Sequence, residues 1–143
     1  MFKLKDIVLT DVFKTEKDVI SSNLLETIKI NMKRETDIKI IREDRNEIEF
    51  RYKSVGKIIN SNTTFSIRTE GNKVKIDVVG KQKWSKRAYF ITVINCGLLV
   101  TGLFSIFGIV GLIFLLVKIN GATKVNTGHL EKILGNVKSE LLF

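Results

Sequence analysis

The sequence predicts an α+β membrane protein: a small cytoplasmic domain of one helix and a four- to five-stranded antiparallel sheet, a transmembrane helical hairpin, and a C-terminal amphipathic helix. Three observations carry this expectation. Residues 88–117 hold no charged side chain, and Lys86, Arg87 and Lys118 close the stretch. Upstream, apolar residues recur first every three or four positions and then every second one, the change of period from helix to strand. Downstream, Leu130, Ile133, Leu134, Val137 and Leu141 fall on one helical stripe.

The elements follow in order. Residues 2–10 alternate loosely, with Phe2, Leu4, Ile7 and Leu9 apolar, and predict a short strand. Thr15 is a good N-cap, and Glu16 and Asp18 put negative charge where a helix dipole favours it. Ile20, Leu24, Ile28 and Met32 then repeat every four residues, with Leu25 beside them, so a helix is expected over residues 16–33. The period next falls to two. Ile38 and Ile40 alternate with charges, residues 42–46 form a charged turn, and Ile48, Phe50 and Tyr52 face one way against Glu49, Arg51 and Lys53. Residues 54–63 read as a loop. Phe65 and Ile67 resume the alternation, Glu70, Gly71 and Asn72 suit a hairpin turn, and Val74, Ile76 and Val78 complete a meander. The apolar phase is expected to bury the helix stripe.

The outward phase bears on function. It carries Lys39, Glu49, Arg51, Lys53, Arg68, Lys75 and Asp77 without an aromatic residue. Sheets that bind nucleic acid display aromatics on which bases stack, so no nucleic-acid partner is expected.

Domain boundaries are placed at 1–83 for the soluble α+β part, 84–120 for the hairpin (84–100 and 103–120) and 127–142 for the amphipathic helix. As one helix, the thirty apolar residues would extend ~45 Å, well beyond a hydrocarbon core of ~30 Å. As two arms they make short spans turning at Thr101 and Gly102. Both flanks are basic, +7 before the stretch and +2 after it within a net charge of +9, so the positive-inside rule puts both termini in the cytoplasm. One feature fits a single tilted, self-associating helix instead: Gly97, Thr101, Ser105 and Gly108 would share a face if the helix were unbroken. Under either arrangement Asn95, Gly97, Thr101, Ser105, Gly108 and Gly111 are the candidates for helix–helix contact. Asn95 is the costliest polar group in lipid and is expected to glue the helices together. No early apolar run resembles a signal peptide, so the stretch itself is expected to act as targeting signal and anchor.

No catalytic set is expected. Ser54, Val55, Gly56 and Lys57 lack the first glycine and the ending of a phosphate loop. Glu43, Asp44, Glu47 and Glu49 cluster at a turn, where charge is ordinary. The lone Cys96 and lone His129 supply neither a disulfide nor a zinc set, so no metal and no cofactor are expected. The order of elements is similar to that of many small bacterial membrane proteins. The function expected is a non-enzymatic membrane-anchored binding module. Its Lys81, Lys83, Lys86, Arg87 and Lys118 would meet anionic lipid or a protein partner. A pore-forming effector that assembles into a homo-oligomer through its transmembrane helices, and a scaffold subunit of a membrane complex, are the alternatives.

Overall fold

The computed structural model describes residues 4–102 and 104–142. Among them are five strands, β1 (Ile7–Lys14), β2 (Ile38–Glu43), β3 (Glu47–Lys53), β4 (Ile59–Glu70) and β5 (Lys73–Trp84). Three helices accompany them: α1 (Ser21–Glu35), α2 (Lys86–Val100) and α3 (Ser105–Leu142). Phe2, expected in the first strand, and Leu103, expected to open the second hairpin arm, lie outside the described residues.

The chain is α+β. The strands form one antiparallel sheet in the order β1-β5-β4-β3-β2, a meander whose last strand takes β1 on its free edge. The period of two decides its faces. Ile48, Phe50, Tyr52, Phe65, Ile67, Val74, Ile76 and Val78 all point inward and are buried. Leu24, Leu25, Ile28 and Met32 of α1 meet them, together with Leu130, Ile133, Leu134 and Val137 of α3. Phe50 and Phe65 pack edge to face, with centroids 5.9 Å apart.

Several boundaries differ from the sequence reading. α1 begins five residues later than the Thr15 cap implied. The Thr15 hydroxyl instead donates to the Lys17 carbonyl at 2.7 Å, and its backbone N–H reaches the Asn72 carbonyl at 2.8 Å. Ile20 consequently caps α1 from outside the core. The expected loop at 54–63 shrinks to a 3-10 turn at Val55–Lys57, and β4 starts at Ile59. β5 runs on to Trp84, so Trp84, expected to open the first membrane arm, instead ends a strand that also carries Lys81 and Lys83.

Beyond the main core the inner face turns polar. Ser61, Thr63, Gln82 and Asn126 are buried there. Asn126 Nδ2 donates to Gln82 Oε1 at 3.3 Å, and the Tyr52 and Thr63 hydroxyls lie 3.2 Å apart. Gly80 permits the close approach, because a Cβ there would stand 3.3 Å from Thr63 Oγ1 and 3.4 Å from Ile7 Cβ. Past this layer a second apolar cluster joins Ile58 and Ile59 to Ala88, Leu115, Ile119 and Ala122, fastening the α2–α3 pair to the end of the sheet.

The largest departure is α3. The expected break between a membrane arm ending at 120 and a separate helix at 127–142 is absent, and α3 is continuous over 38 residues. Ile119, Ala122, Asn126 and Leu130 keep one face buried through the segment that looked like a linker. Thr123 and Thr127 satisfy their hydroxyls on the Ile119 and Thr123 carbonyls.

Ion pairs clasp the layers at the surface. Lys132 holds Glu35 of α1, Lys138 reaches Asp11 of β1 at 3.6 Å, and Lys29 joins Glu43 at 2.7 Å. The hydrogen bond from Lys132 holds the Glu35 carboxyl below its ordinary value of 4.5. A depressed folded-state value stabilises the fold above the ordinary carboxylate range and ceases to do so as pH falls through the folded value. The stability difference between wild type and Lys132→Ala should therefore be present at neutral pH and vanish in acid, which urea titrations at both pH values will show.

Candidate functional site

The end of β5 leads straight into the apolar stretch. Ser85 caps α2, its hydroxyl accepting from the Ala88 N–H at 3.2 Å. The helix ends at Val100, Gly102 takes a left-handed φ of 69°, and α3 returns antiparallel. The stretch is therefore a helical hairpin and not one helix.

Small residues set how closely its arms pack. At Gly108 a Cβ would stand 2.7 Å from the Asn95 carbonyl oxygen and 2.9 Å from Leu99 Cγ. At Gly111 it would overlap the Asn95 amide. Asn95, Gly108 and Gly111 are thus brought together, with Asn95 and Gly108 buried. The expected glue is different in kind, however. Asn95 Nδ2 donates to the Ile91 carbonyl of its own helix at 2.8 Å, so Asn95 is packed between the arms while its hydrogen bond stays within one. Thr92 does the same on the Ala88 carbonyl at 2.9 Å. Gly97 touches nothing across the hairpin, and Thr101 is exposed at the turn with its hydroxyl on the Leu98 carbonyl. Ser105 opens α3. Because the chain reverses between them, Gly97, Thr101, Ser105 and Gly108 do not share one face.

These contacts predict an asymmetry. Gly108→Val forces side-chain carbons onto backbone and should destabilise the hairpin by about 1–3 kcal/mol. Gly97→Ala, facing open space, should change little. Crosslinking of cysteines placed on facing positions of the arms, in a Cys96→Ser background, will read the separation.

The outside of the hairpin is apolar. Val93, Val100, Ile106, Phe107, Ile109, Val110, Ile113, Phe114, Leu116 and Val117 are exposed, Val100 by 87%. Monomeric water-soluble proteins rarely expose contiguous apolar patches beyond a few hundred Å². Among the described residues, however, one helix only, α3, is long and apolar enough to cross a membrane. α2 has 15 residues and is not, so the expected pair of spans at 84–100 and 103–120 is corrected to a hairpin with one arm too short.

A cationic collar rings the hairpin base. Lys81 and Lys83 point outward from β5, Lys86 and Arg87 open α2, and Lys118 lies on α3, all five exposed. Arg87 Nη1 donates to the Gly56 carbonyl at 3.3 Å, which ties the 3-10 turn to α2. Lys118 Nζ sits 5.2 Å from the Phe114 ring centroid, leaning along the apolar surface. Where α2, α3 and the turn meet, Ile91, Phe114, Leu115 and Val125 line a groove of about 500 Å³ with Arg87 and Lys118 on its walls.

The remaining candidates have structural employment. Asp44 pairs with Arg42 and Glu43 with Lys29 at the β2–β3 turn. Among the described residues no three His, Cys, Asp or Glu side chains group as a metal site. The outward phase read from the sequence did not show that Lys39, Arg51 and Lys53 join Lys57 and Lys83 in one basic surface on the sheet's uncovered face. Strand register would have found it, but only once β4 and β5 had their full lengths.

No protein-family model matches the chain, and no curated protein matches its sequence. Among solved structures, a protein of Thermus thermophilus is similar at a TM-score of 0.45 and 11% identity, over 96% of this chain and 97% of its own. A TBP-like protein of Parabacteroides distasonis is similar at a TM-score of 0.35 and 10% identity, over 57% of this chain; the chain covers 59% of that protein.

Proposed function

We propose that the protein is a non-enzymatic membrane-anchored binding module whose hairpin enters the bilayer from one side and whose collar rests on anionic headgroups. One observation carries the reading: an exposed apolar hairpin ends, at its base, in five exposed cations. Water disfavours the first, and the interface of an anionic bilayer accommodates both.

Geometry refines the expected transmembrane hairpin. The charge-free parts of the arms, residues 88–100 and 105–117, reach ~20 Å at 1.5 Å per residue, short of a ~30 Å hydrocarbon core. The turn carries Thr101, Gly102 and Phe104 and no Lys, Arg, Trp or Tyr to anchor it in a far headgroup layer. The hairpin therefore stops inside the bilayer, and both flanking segments stay on the side from which it entered. Thr92 and Asn95 tolerate that burial because each bonds a carbonyl of its own helix.

The test is flotation of the full chain with vesicles. A Lys or Arg near an anionic surface contributes about 1 kcal/mol, so Lys86→Ala with Lys118→Ala should weaken binding to phosphatidylglycerol vesicles about thirtyfold and hardly affect neutral ones. Failure of the wild-type chain to float with either vesicle would overturn the anchor.

A further inference from the structure

We infer that the uncovered face of the sheet, at its hairpin end, is a binding site for an anion with clustered phosphates. The inference deepens the membrane reading where the phosphates belong to a lipid, but the site itself rests on the sheet alone. Antiparallel register places Lys39 opposite Arg51, Arg51 opposite Asn62 and Asn62 opposite Lys81. Two residues along, Lys53 lies opposite Asn60 and Asn60 opposite Lys83. Residues directly paired across strands share a face, so these two rows form one basic plateau. It floors a basin of about 660 Å³ whose rim includes Lys57.

Three features separate this plateau from an ordinary solvated face. First, its cations are unpaired. Among the described residues none of Lys39, Arg51, Lys53, Lys57, Lys81 and Lys83 makes an ion pair, whereas farther along the same face Lys75 pairs with Asp77 at 3.3 Å. Asp37 is the one acid lining the basin. Like charges directly opposite, as Lys39 and Arg51 are, disfavour the sheet, and a bound anion removes that cost. Second, Lys57 has a φ of 56°, the one positive φ outside glycine among the described residues. Strained backbone of this kind concentrates at ligand clamps, and here it follows Gly56 and places a lysine on the rim. Third, the hydrogen bonding is directional. Arg51 Nε donates to Asn62 Oδ1 at 3.3 Å and Asn62 Nδ2 to Glu49 Oε1 at 3.3 Å, a chain that orients the guanidinium within the plateau.

The ligand class follows from what lines the basin. Its one aromatic, Tyr52, is buried, with its hydroxyl beside Thr63 in the core. No ring is offered for a nucleobase to stack on, while lysines and an arginine suit phosphate oxygens. Lys83 precedes Trp84 and the hairpin base, so an embedded hairpin brings the basin to headgroup depth.

The experiment uses the full chain in neutral detergent, at fixed low ionic strength. Pyrophosphate is the soluble probe and chloride the control. Binding by calorimetry and a rise in Tm are expected with pyrophosphate and not with chloride. Arg51→Gln with Lys53→Gln, both exposed and outside the collar, should weaken pyrophosphate binding by about tenfold or more. A second arm reconstitutes the chain in vesicles. Protection of Lys39, Lys53 and Lys57, the plateau lysines outside the collar, from acylation by phosphatidylglycerol but not by phosphatidylcholine assigns the phosphates to lipid, and their protection by pyrophosphate in neutral vesicles assigns them to a soluble ligand. Equal binding by wild type and the double variant, or a chloride effect equal to that of pyrophosphate, would overturn the site. A chain that binds pyrophosphate but does not float with vesicles would sink the anchor and leave the site standing.

Discussion

Aspartates at Ile109 and Val110 should release the protein from membranes while leaving its fold intact. Both side chains are exposed by more than half and lie on the outer surface of the hairpin, away from Asn95 and Leu99. Neither touches the sheet, so the double variant should unfold at the temperature of the wild type. In a bilayer the two positions lie along the embedded part of α3, where an aspartate costs about 2.5–3.5 kcal/mol. Two of them match or exceed the contribution of the whole collar at about 1 kcal/mol per cation near the surface. Flotation should fall to background even with anionic vesicles. Retained flotation would mean that the collar alone holds the protein at the surface, with the hairpin outside the hydrocarbon.

The second large effect separates the domain from its proposed anchor. Ile133 is 1% exposed, on the part of α3 that closes the main core. Ile133→Ala removes buried carbons between α1, α3 and the sheet and should cost about 2–5 kcal/mol. Small domains hold only about 5–15 kcal/mol in total, so the sheet domain should become sensitive to protease and unfold at clearly lower urea. The hairpin packs through residues on the other half of α3, and vesicle flotation should persist. If membrane binding is lost with the core, the two halves form one cooperative unit.

Which parts were legible in the sequence follows from where the core is apolar. β3 and the first half of β5 announce themselves because every inward residue there is Ile, Phe, Tyr or Val. The start of β4 and the end of β5 do not. After Ile59 their inward residues are Ser61, Thr63, Gly80 and Gln82, which join the buried polar layer, so the hydropathy signal disappears although the strands continue. The same layer hides the continuity of α3, since Asn126 looks like a linker residue and is in fact packed against Gln82. Thr15 misplaced the start of α1 because a hydroxyl that caps a helix serves a turn equally well.

The candidate site was legible in part. Uncharged length marked the hairpin and its turn, and small residues marked the contact of Gly108 and Gly111 with Asn95. Spacing could not tell these from Gly97, because which glycines face the other arm depends on where the chain reverses. The plateau of Lys39, Arg51 and Lys53 was visible as an outward phase, but its coherence required knowing which residues stand opposite one another.

The unbroken α3 also orders events during synthesis. Translation completes all five strands once Trp84 has been added, yet the inner face still lacks Leu130, Ile133, Leu134 and Val137. Every residue of the apolar hairpin leaves the ribosome before the helix that seals the sheet. On the proposed membrane reading, the nascent chain meets the bilayer with its core still open, the sealing part of α3 is tethered at its upstream end by the hairpin, and closure is a short-range search instead of a free one.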